Sequence, residues 1–197
     1  SRTSSFEAGN KENKRGWHTA DGMVYLYNED DVQFNAAYWP TVDPYRLPGT
    51  TVDTVQLADE TSAFTAVTSK EKWVGGVAHD GAAAVGMALN KAGTKNNGTV
   101  LPMNLQAKKS WFIVDGQIVA LGAGISGSTT TSIETVVDNR LLNADYTYQV
   151  RSDQGIIDQP KEVSDKQWLL LASDHSQANI GYYFPEKTSV TVVHETR

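Results

Sequence analysis

An all-β fold, an antiparallel β-sandwich, is what this sequence predicts, and three observations carry it. Short β-branched and aromatic runs recur, divided by turn signals roughly every 8–15 residues, as sandwich strands require. Two such runs, Lys109–Val114 and Gln117–Leu121, flank Asp115-Gly116, the pair preferred in a type I′ hairpin turn. Elsewhere apolar and polar residues alternate with the two-residue period of a half-buried strand.

Residues 1–22 are polar and turn-rich, charged at Lys11, Glu12, Lys14 and Arg15, and read as an opening segment. Met23–Tyr27, aromatic and β-branched, reads as the first strand. A helical turn or loop spans Asp31–Trp39, with Asp30 or Asp31 as its cap. Pro40, Pro44 and Pro48 keep 40–50 as extended loop, and Thr50–Val52 starts a strand. Lys72–Val74 leads into Gly75-Gly76, a bend or bulge. Ala82–Leu89 is taken as strand, because Gly81 and Gly86 lower its helix propensity. Residues 90–99 make a polar hairpin or loop. From Leu101 to Lys109, Leu101, Met103 and Leu105 take one face, Asn104 and Gln106 the other. The Asp115-Gly116 hairpin follows, and Gly122–Gly127 breaks its second strand. Ile133–Asp138 and Tyr146–Val150 alternate again; Trp168–Ala172 is wholly apolar, as a buried strand would be; Ile180–Phe184 and Val190–Val193 close the series. Trp111, Phe112, Ile118, Val119, Trp168, Leu170 and Tyr183 are the expected core. Residues 23–197 thus read as one sandwich domain. No partner run follows the last strand, so the domain is expected to be incomplete at its C-terminal end and the chain to be a segment of a larger protein.

Composition removes several classes of function. Lys+Arg is 17 against Asp+Glu 23, a net charge of -6. Binders of nucleic acid and of anionic membranes carry a basic excess, so neither partner is expected. No run reaches the roughly 18 apolar residues of a membrane helix. The absence of Cys excludes disulfides, thiolate metal centres and thiol catalysis. His18, His79, His175 and His194 lack metal-ligand spacing, so no metal or other cofactor is implied, and all four are expected in loops or at the surface. Gly122–Gly127 is similar to a phosphate loop, but no helix follows it, and a helix N-terminus is what meets the phosphate.

The aromatics are more informative. Trp17, Tyr25, Tyr27, Tyr38, Trp39 and Tyr45 crowd the first quarter of the chain, beside Arg2, Arg15, Arg46, Asn10, Asn13 and Asn35. Aromatic faces stack on sugar rings, and amides and guanidinium forks hold hydroxyls and carboxylates. The alternative for each ring is that it fills a core edge.

The stretch Ser1-Arg2, Phe6-Glu7, Asn10–Asn13, Gly16–Thr19, Asp21–Met23 and Tyr25–Asn28 resembles the start of the β domain in polysaccharide lyase family eight, which holds hyaluronate, chondroitin AC and xanthan lyases. Trp39–Asp43, Arg46–Thr51, Lys108–Phe112, Gly122–Ile125, Glu134–Arg140 and Gly181–Phe184 continue the likeness. The resemblance implies a β supersandwich of the galactose mutarotase-like type, with this chain as its first part. It also implies a secreted bacterial enzyme that cleaves an acidic polysaccharide, hyaluronate or chondroitin, by β-elimination. In the family the catalytic Asn, His, Tyr and pair of Arg belong to an α/α toroid domain, the structural partner of the β domain. That toroid is absent from this chain, so no complete catalytic set is expected here. Glu7 and Asn10 match a Glu and an Asn that reach into the family's active site. By that match Glu7 would orient the catalytic Arg or Tyr through a charge-assisted hydrogen bond, and Asn10 would bind sugar or the same network. Asn13 and Trp17 are further candidates for substrate binding. Phe6 stands where the family usually has Tyr, and lacks that hydroxyl. The other reading is a non-catalytic carbohydrate-binding or structural β-sandwich module.

Overall fold

The computed structural model describes residues 6–7, 13–35, 37–59, 66–67, 71–96, 99–127, 131–158 and 160–197. They form two compact units, each assembled from two stretches of chain: Ser1–Tyr25 with Asp43–Asn139, and Leu26–Val42 with Arg140–Arg197. Both are built on antiparallel sheets, in agreement with the all-β expectation.

The first unit holds β1 (Phe6–Glu7), β2 (Thr51–Asp53), β3 (Ala66–Val67), β4 (Val74–His79), β5 (Ala82–Asn90), β6 (Lys95–Asn96), β7 (Thr99–Val100), β8 (Gln106–Val114), β9 (Gln117–Ser126) and β10 (Ile133–Thr135). Its main sheet runs β4-β5-β8-β9; β1 pairs with β3, β2 with β10 and β6 with β7. Two hairpins of that sheet turn on the same dipeptide. Asp80 and Gly81 have φ of 43° and 79°, Asp115 and Gly116 of 49° and 73°. Two successive positive φ values are the type I′ signature, whose twist matches that of the flanking strands. Gly75-Gly76, expected as a bend, lies inside β4. Gly122–Gly127, expected to break the second hairpin strand, instead continues β9 to Ser126. The glycines absorb an extra residue: Gln106 pairs with Ser126 and Lys108 with Ala123, and Gly124 has φ 60°.

Alternation sets the core of this unit. Met103, Leu105, Ala107, Lys109 and Trp111 are all buried, although the strand itself begins only at Gln106. Met87 and Leu89 of β5 join Leu105, Ala107 and Trp111, with Val24, Val85 and Ile133 packed against them. Phe112 and Val119 were expected in the core, but successive strand residues point to opposite faces. Phe112 therefore turns away from Trp111 and pairs with Val119 on the exposed face, where Phe112 is 42% accessible. Ile118 pairs with Ile113 near the hairpin tip and is exposed as well.

In the second unit β11 (Tyr148–Ser152), β12 (Gly155–Ile157), β13 (Lys161–Ser173) and β14 (Ile180–Val192) form one sheet in the order β12-β11-β13-β14. A 3₁₀ turn, Asp31–Phe34, and the one-turn helix α1 (Tyr38–Thr41) precede it in the chain. The Asp30 carboxylate caps the 3₁₀ turn by accepting from the Val32 N–H, and it also accepts from the Tyr148 hydroxyl. The Asn28 amide donates to the Ala178 carbonyl at 3.0 Å. Trp168–Ala172, expected to be buried throughout, is two-faced. Leu169 and Ala172 are buried, Leu170 is half-buried, and Trp168 lies opposite Tyr183 with both rings exposed, 38% and 68%.

Met23–Tyr27, expected as the first strand, is not one. Met23 makes a single bridge, and the Val24 N–H donates to the Pro48 carbonyl at 2.9 Å. The chain passes from one unit to the other after Tyr25, so the run has no one ladder to join.

Candidate functional site

Glu7 lies in β1 with its backbone opposite Ala66; its side chain, and the whole of Asn10, fall outside the described residues. Asn13 folds its side chain back to accept from the Arg15 N–H at 3.0 Å, an Asx turn. Trp17 is only 5% exposed and packs its ring 5.0 Å from that of Tyr45, so in this structure it is part of the interior of the first unit. Of the arginines flagged for carboxylate binding, Arg2 lies outside the described residues, and Arg15 and Arg46 are engaged by the protein itself. Arg15 pairs with Asp59 at 2.7 Å, and Arg46 donates twice to Glu134, at 2.8 and 3.2 Å, and once to Asp43. The crowded aromatics divide between the units. In the second, Tyr27, Phe34, Tyr38 and Trp39 form an edge-to-face series with centroids 5.1–5.4 Å apart, in which Tyr38 is buried while Tyr27 and Trp39, at the two ends, are exposed.

At the end of the opening segment the first unit buries a charged network. A turn at 16–21 brings His18 and Asp21 to the same side, and Nδ1 of His18 meets Asp21 Oδ2 at 2.8 Å. Lys91, from the turn after β5, donates to both Asp21 oxygens at 2.9 and 3.0 Å and to the Trp17 carbonyl at 3.4 Å. Burial alone would raise the Asp21 pKa, but the Lys91 charge and the contact with His18 outweigh it and draw it down to about 2. Lys109, on the buried face of β8, donates to the backbone carbonyls of Asp21 and Gly49 and lies 5.6 Å from the Trp111 ring centroid. Burial lowers its pKa to about 8, against the opposing pull of Asp21. Gly22 makes this approach possible. Its φ is 84°, and a Cβ there would stand 2.8 Å from the Trp111 ring.

Asp53 of β2 completes the group. It is 0% exposed, and neither of its carboxylate oxygens has a hydrogen-bond partner among the described residues. The same holds for Nε2 of His18 and Nε1 of Trp17. His18 was expected in a loop or at the surface; it lies in the turn at 16–21, yet it is 1% exposed, and its carboxylate neighbour explains how a polar ring is held inside. Sequence reasoning missed Asp21, Asp53, Lys91 and Lys109. Lys109 carried a signal, a cation in the buried phase of an alternating run. Lys91, in a turn, carried none.

The chemistry of the network is that of an anchor. It fastens residues 16–22 to β5, β8 and the loop before β2 through paired charges.

Comparison with known proteins then supplies what geometry does not. The family model "Polysaccharide lyase family 8, super-sandwich domain" matches residues 1–197. A hyaluronate lyase, HylB, of Enterococcus faecalis is 74% identical over the whole chain, which covers 20% of that protein. A xanthan lyase of Bacillus is 39% identical, again over the whole chain and 20% of the relative. Among solved structures, a Paenibacillus xanthan lyase superposes with a TM-score of 0.77 at 38% identity, over 94% of this chain and 17% of that one. A Streptomyces coelicolor chondroitin AC lyase in complex with chondroitin sulphate superposes with a TM-score of 0.66 at 36% identity, over 92% of this chain and 21% of that one. The chain thus spans about a fifth of the length of these relatives.

Proposed function

Because the chain belongs to polysaccharide lyase family 8, as its super-sandwich domain, we propose that it is the β-domain segment of a secreted bacterial enzyme that cleaves a uronate-containing glycosaminoglycan, hyaluronate foremost, by β-elimination. The observation that carries this reading is the 74% identity to a hyaluronate lyase along the entire chain. Secretion is supported by the size of such a polymer, which is degraded outside the cell.

The chemistry asks for three things. The uronate carboxylate is neutralised, the C5 proton is abstracted, and the glycosidic oxygen is protonated as it leaves. A Tyr serves as both base and acid where positive charge and hydrogen bonds lower its pKa. On this reading those groups come from the toroid domain of the same parent protein, and the present segment forms a wall of the cleft. Glu7 and Asn10 reach into the site from the opening segment. Asn13 holds the turn just after them through Arg15, and Trp17, packed on Tyr45, fixes the base of that segment.

The test uses the intact parent protein and the present chain side by side on hyaluronate. The parent is expected to release unsaturated uronate, and residues 1–197 alone to stay at background. Robust turnover by the isolated chain would overturn the division of roles. No elimination by the parent would leave the carbohydrate-binding or structural module as the reading. In the parent, Asn10→Ala should lower turnover by about ten- to a thousandfold, the range for a lost transition-state hydrogen bond of about 1.4–4 kcal/mol. A lowered melting temperature with turnover intact would instead make Asn10 a turn cap.

A further inference from the structure

The four strands of the main sheet in the first unit, β4, β5, β8 and β9, contain no Asp or Glu, in a chain whose acids outnumber Lys and Arg by 23 to 17. They contain two lysines, and alternation sends these opposite ways. Lys109 turns inward with Ala107 and Trp111. Lys108 stands on the open face, exposed, with no carboxylate paired to it among the described residues. Trp73 shares that face. The Ala88 N–H donates to the Trp73 carbonyl at 3.0 Å and Ala88 pairs with Lys108, so the three residues form one row across neighbouring strands. The Trp73 ring is 63% exposed on one side and lies over Gly86 on the other, where a Cβ would stand 2.6 Å from its Cη2. Two strand spacings, about 9–10 Å, separate the backbones of Trp73 and Lys108. Between them Ala88 raises only a methyl group. In the next row Asn90 pairs with Gln106, and the Asn90 amide donates to Glu71 at 3.2 Å.

We propose that this end of the open face binds acidic polysaccharide, with the Trp73 ring against the C–H face of a sugar and the Lys108 ammonium on a carboxylate of the same or the next sugar. The choice of ligand rests on the reading of the parent protein as an enzyme of uronate polymers.

Charge favours this face for a polyanion. The net charge of -6 repels such a chain at long range, but salt screens that repulsion beyond about 8 Å at physiological ionic strength. What the polymer meets at contact is then local, and locally the face offers an unpaired ammonium and no carboxylate on its strands. Shape agrees. Gly86 lets the indole lie down on the sheet, which presents a broad apolar surface instead of an edge, and nothing stands within 4 Å of where a Cβ of Gly75 would be. Asn90 and Gln106 add amides, which both donate to and accept from hydroxyls. One stacked ring and one solvent-exposed ion pair make a weak contact. On a polymer a weak contact still counts, because it raises the effective concentration of the same chain for every other site on the parent.

Acetylation of Lys108 in the intact parent protein, followed by mass spectrometry in the cold, reads the site without need of turnover. Lys108 should react readily before polymer is added. Excess hyaluronate should slow the reaction in proportion to occupancy, and neutral dextran should not, while the exposed Lys187 serves as a reference that changes with neither. Protection should fade at about 1 M salt, where the screening length is about 3 Å. Trp73→Ala should raise the hyaluronate concentration for half-protection about two- to tenfold, the size of one lost aromatic contact, and an unchanged polymer-free rate at Lys108 would show that the sheet is intact. A Lys108 that is unreactive before polymer is added overturns the proposal, because another part of the parent then covers this face. So does a reactive Lys108 that hyaluronate fails to protect, equal protection by dextran, or protection unmoved by Trp73→Ala. Release of unsaturated uronate is scored separately. A parent that eliminates without protecting Lys108 keeps the proposed function and loses this site, and one that protects Lys108 without eliminating does the reverse.

Discussion

At the scale of single residues the first unit holds the Asp21 carboxylate and the Lys91 ammonium as a buried pair. Asp21 has a pKa of about 2 when folded, against an ordinary value of 3.8. A lowered carboxylate contributes stability that is present above 3.8 and lost as pH falls through about 2. Asp21→Asn should destabilise the protein by about 3–5 kcal/mol at neutral pH, since it strands Lys91 inside, and should flatten the acid limb of the stability curve. Denaturant titrations at several pH values would show both effects, and a variant that unfolds like the parent would mean the pair is idle. Lys109 acts at the other limb, where its stability contribution should rise between about 8 and 10.5. How much of this was legible differs residue by residue. Lys109 stands in phase with Met103, Leu105 and Trp111, and a cation in an apolar phase announces a buried partner. His18 and Asp21, three apart in a polar stretch, look like surface residues until the turn at 16–21 closes on them. Asp53 looks like the polar end of a strand, and only the fold around it makes it an interior acid.

At the scale of elements, alternation decides which side chains matter. Trp111→Ala should cost about 3–5 kcal/mol, the range for a buried aromatic, whereas Phe112→Ala, its neighbour on the open face, should cost well under half of that. Equal losses would mean the faces of β8 are assigned wrongly. Gly116 sits at φ 73°, where an L side chain is strained, so Gly116→Ala should lower stability by about 1–2 kcal/mol. The Asp115-Gly116 turn was readable because its backbone requirement is met by so few dipeptides. Asp80-Gly81, not singled out from the sequence, makes the same turn beside the less obvious strand Val74–His79. The run at Met23–Tyr27 misled for the opposite reason. β propensity describes a residue's fit to a sheet, and it is silent on whether a sheet is within reach.

At the scale of the whole molecule, the all-β class was legible in the turn spacing, but the arrangement of the strands was not. Apolar residues occupy both faces of the main sheet of the first unit, and Val77, Phe112, Val119 and Leu121 share its open face. A periodicity argument marks such residues as core without saying what would cover them, which is why Phe112 and Val119 were misplaced. An open apolar face should bind a hydrophobic-surface dye, and Leu121→Lys should reduce that signal while leaving the melting temperature of the unit nearly unchanged. A dye signal unaffected by the substitution would place the binding elsewhere.

The second unit begins at Leu26–Val42 and resumes only at Arg140. During synthesis its first stretch therefore leaves the ribosome roughly a hundred residues before its partners, a wait of about 5–20 s at ordinary elongation rates. For that interval Tyr27, Phe34, Tyr38 and Trp39 have each other but no sheet to dock on. The first unit has to fold while an unfinished stretch of the second interrupts its own sequence. Holding that aromatic stretch is work for a chaperone. A stalled nascent chain ending at residue 139 should cross-link to a holdase through position 39, and one extended to residue 197 and released should not.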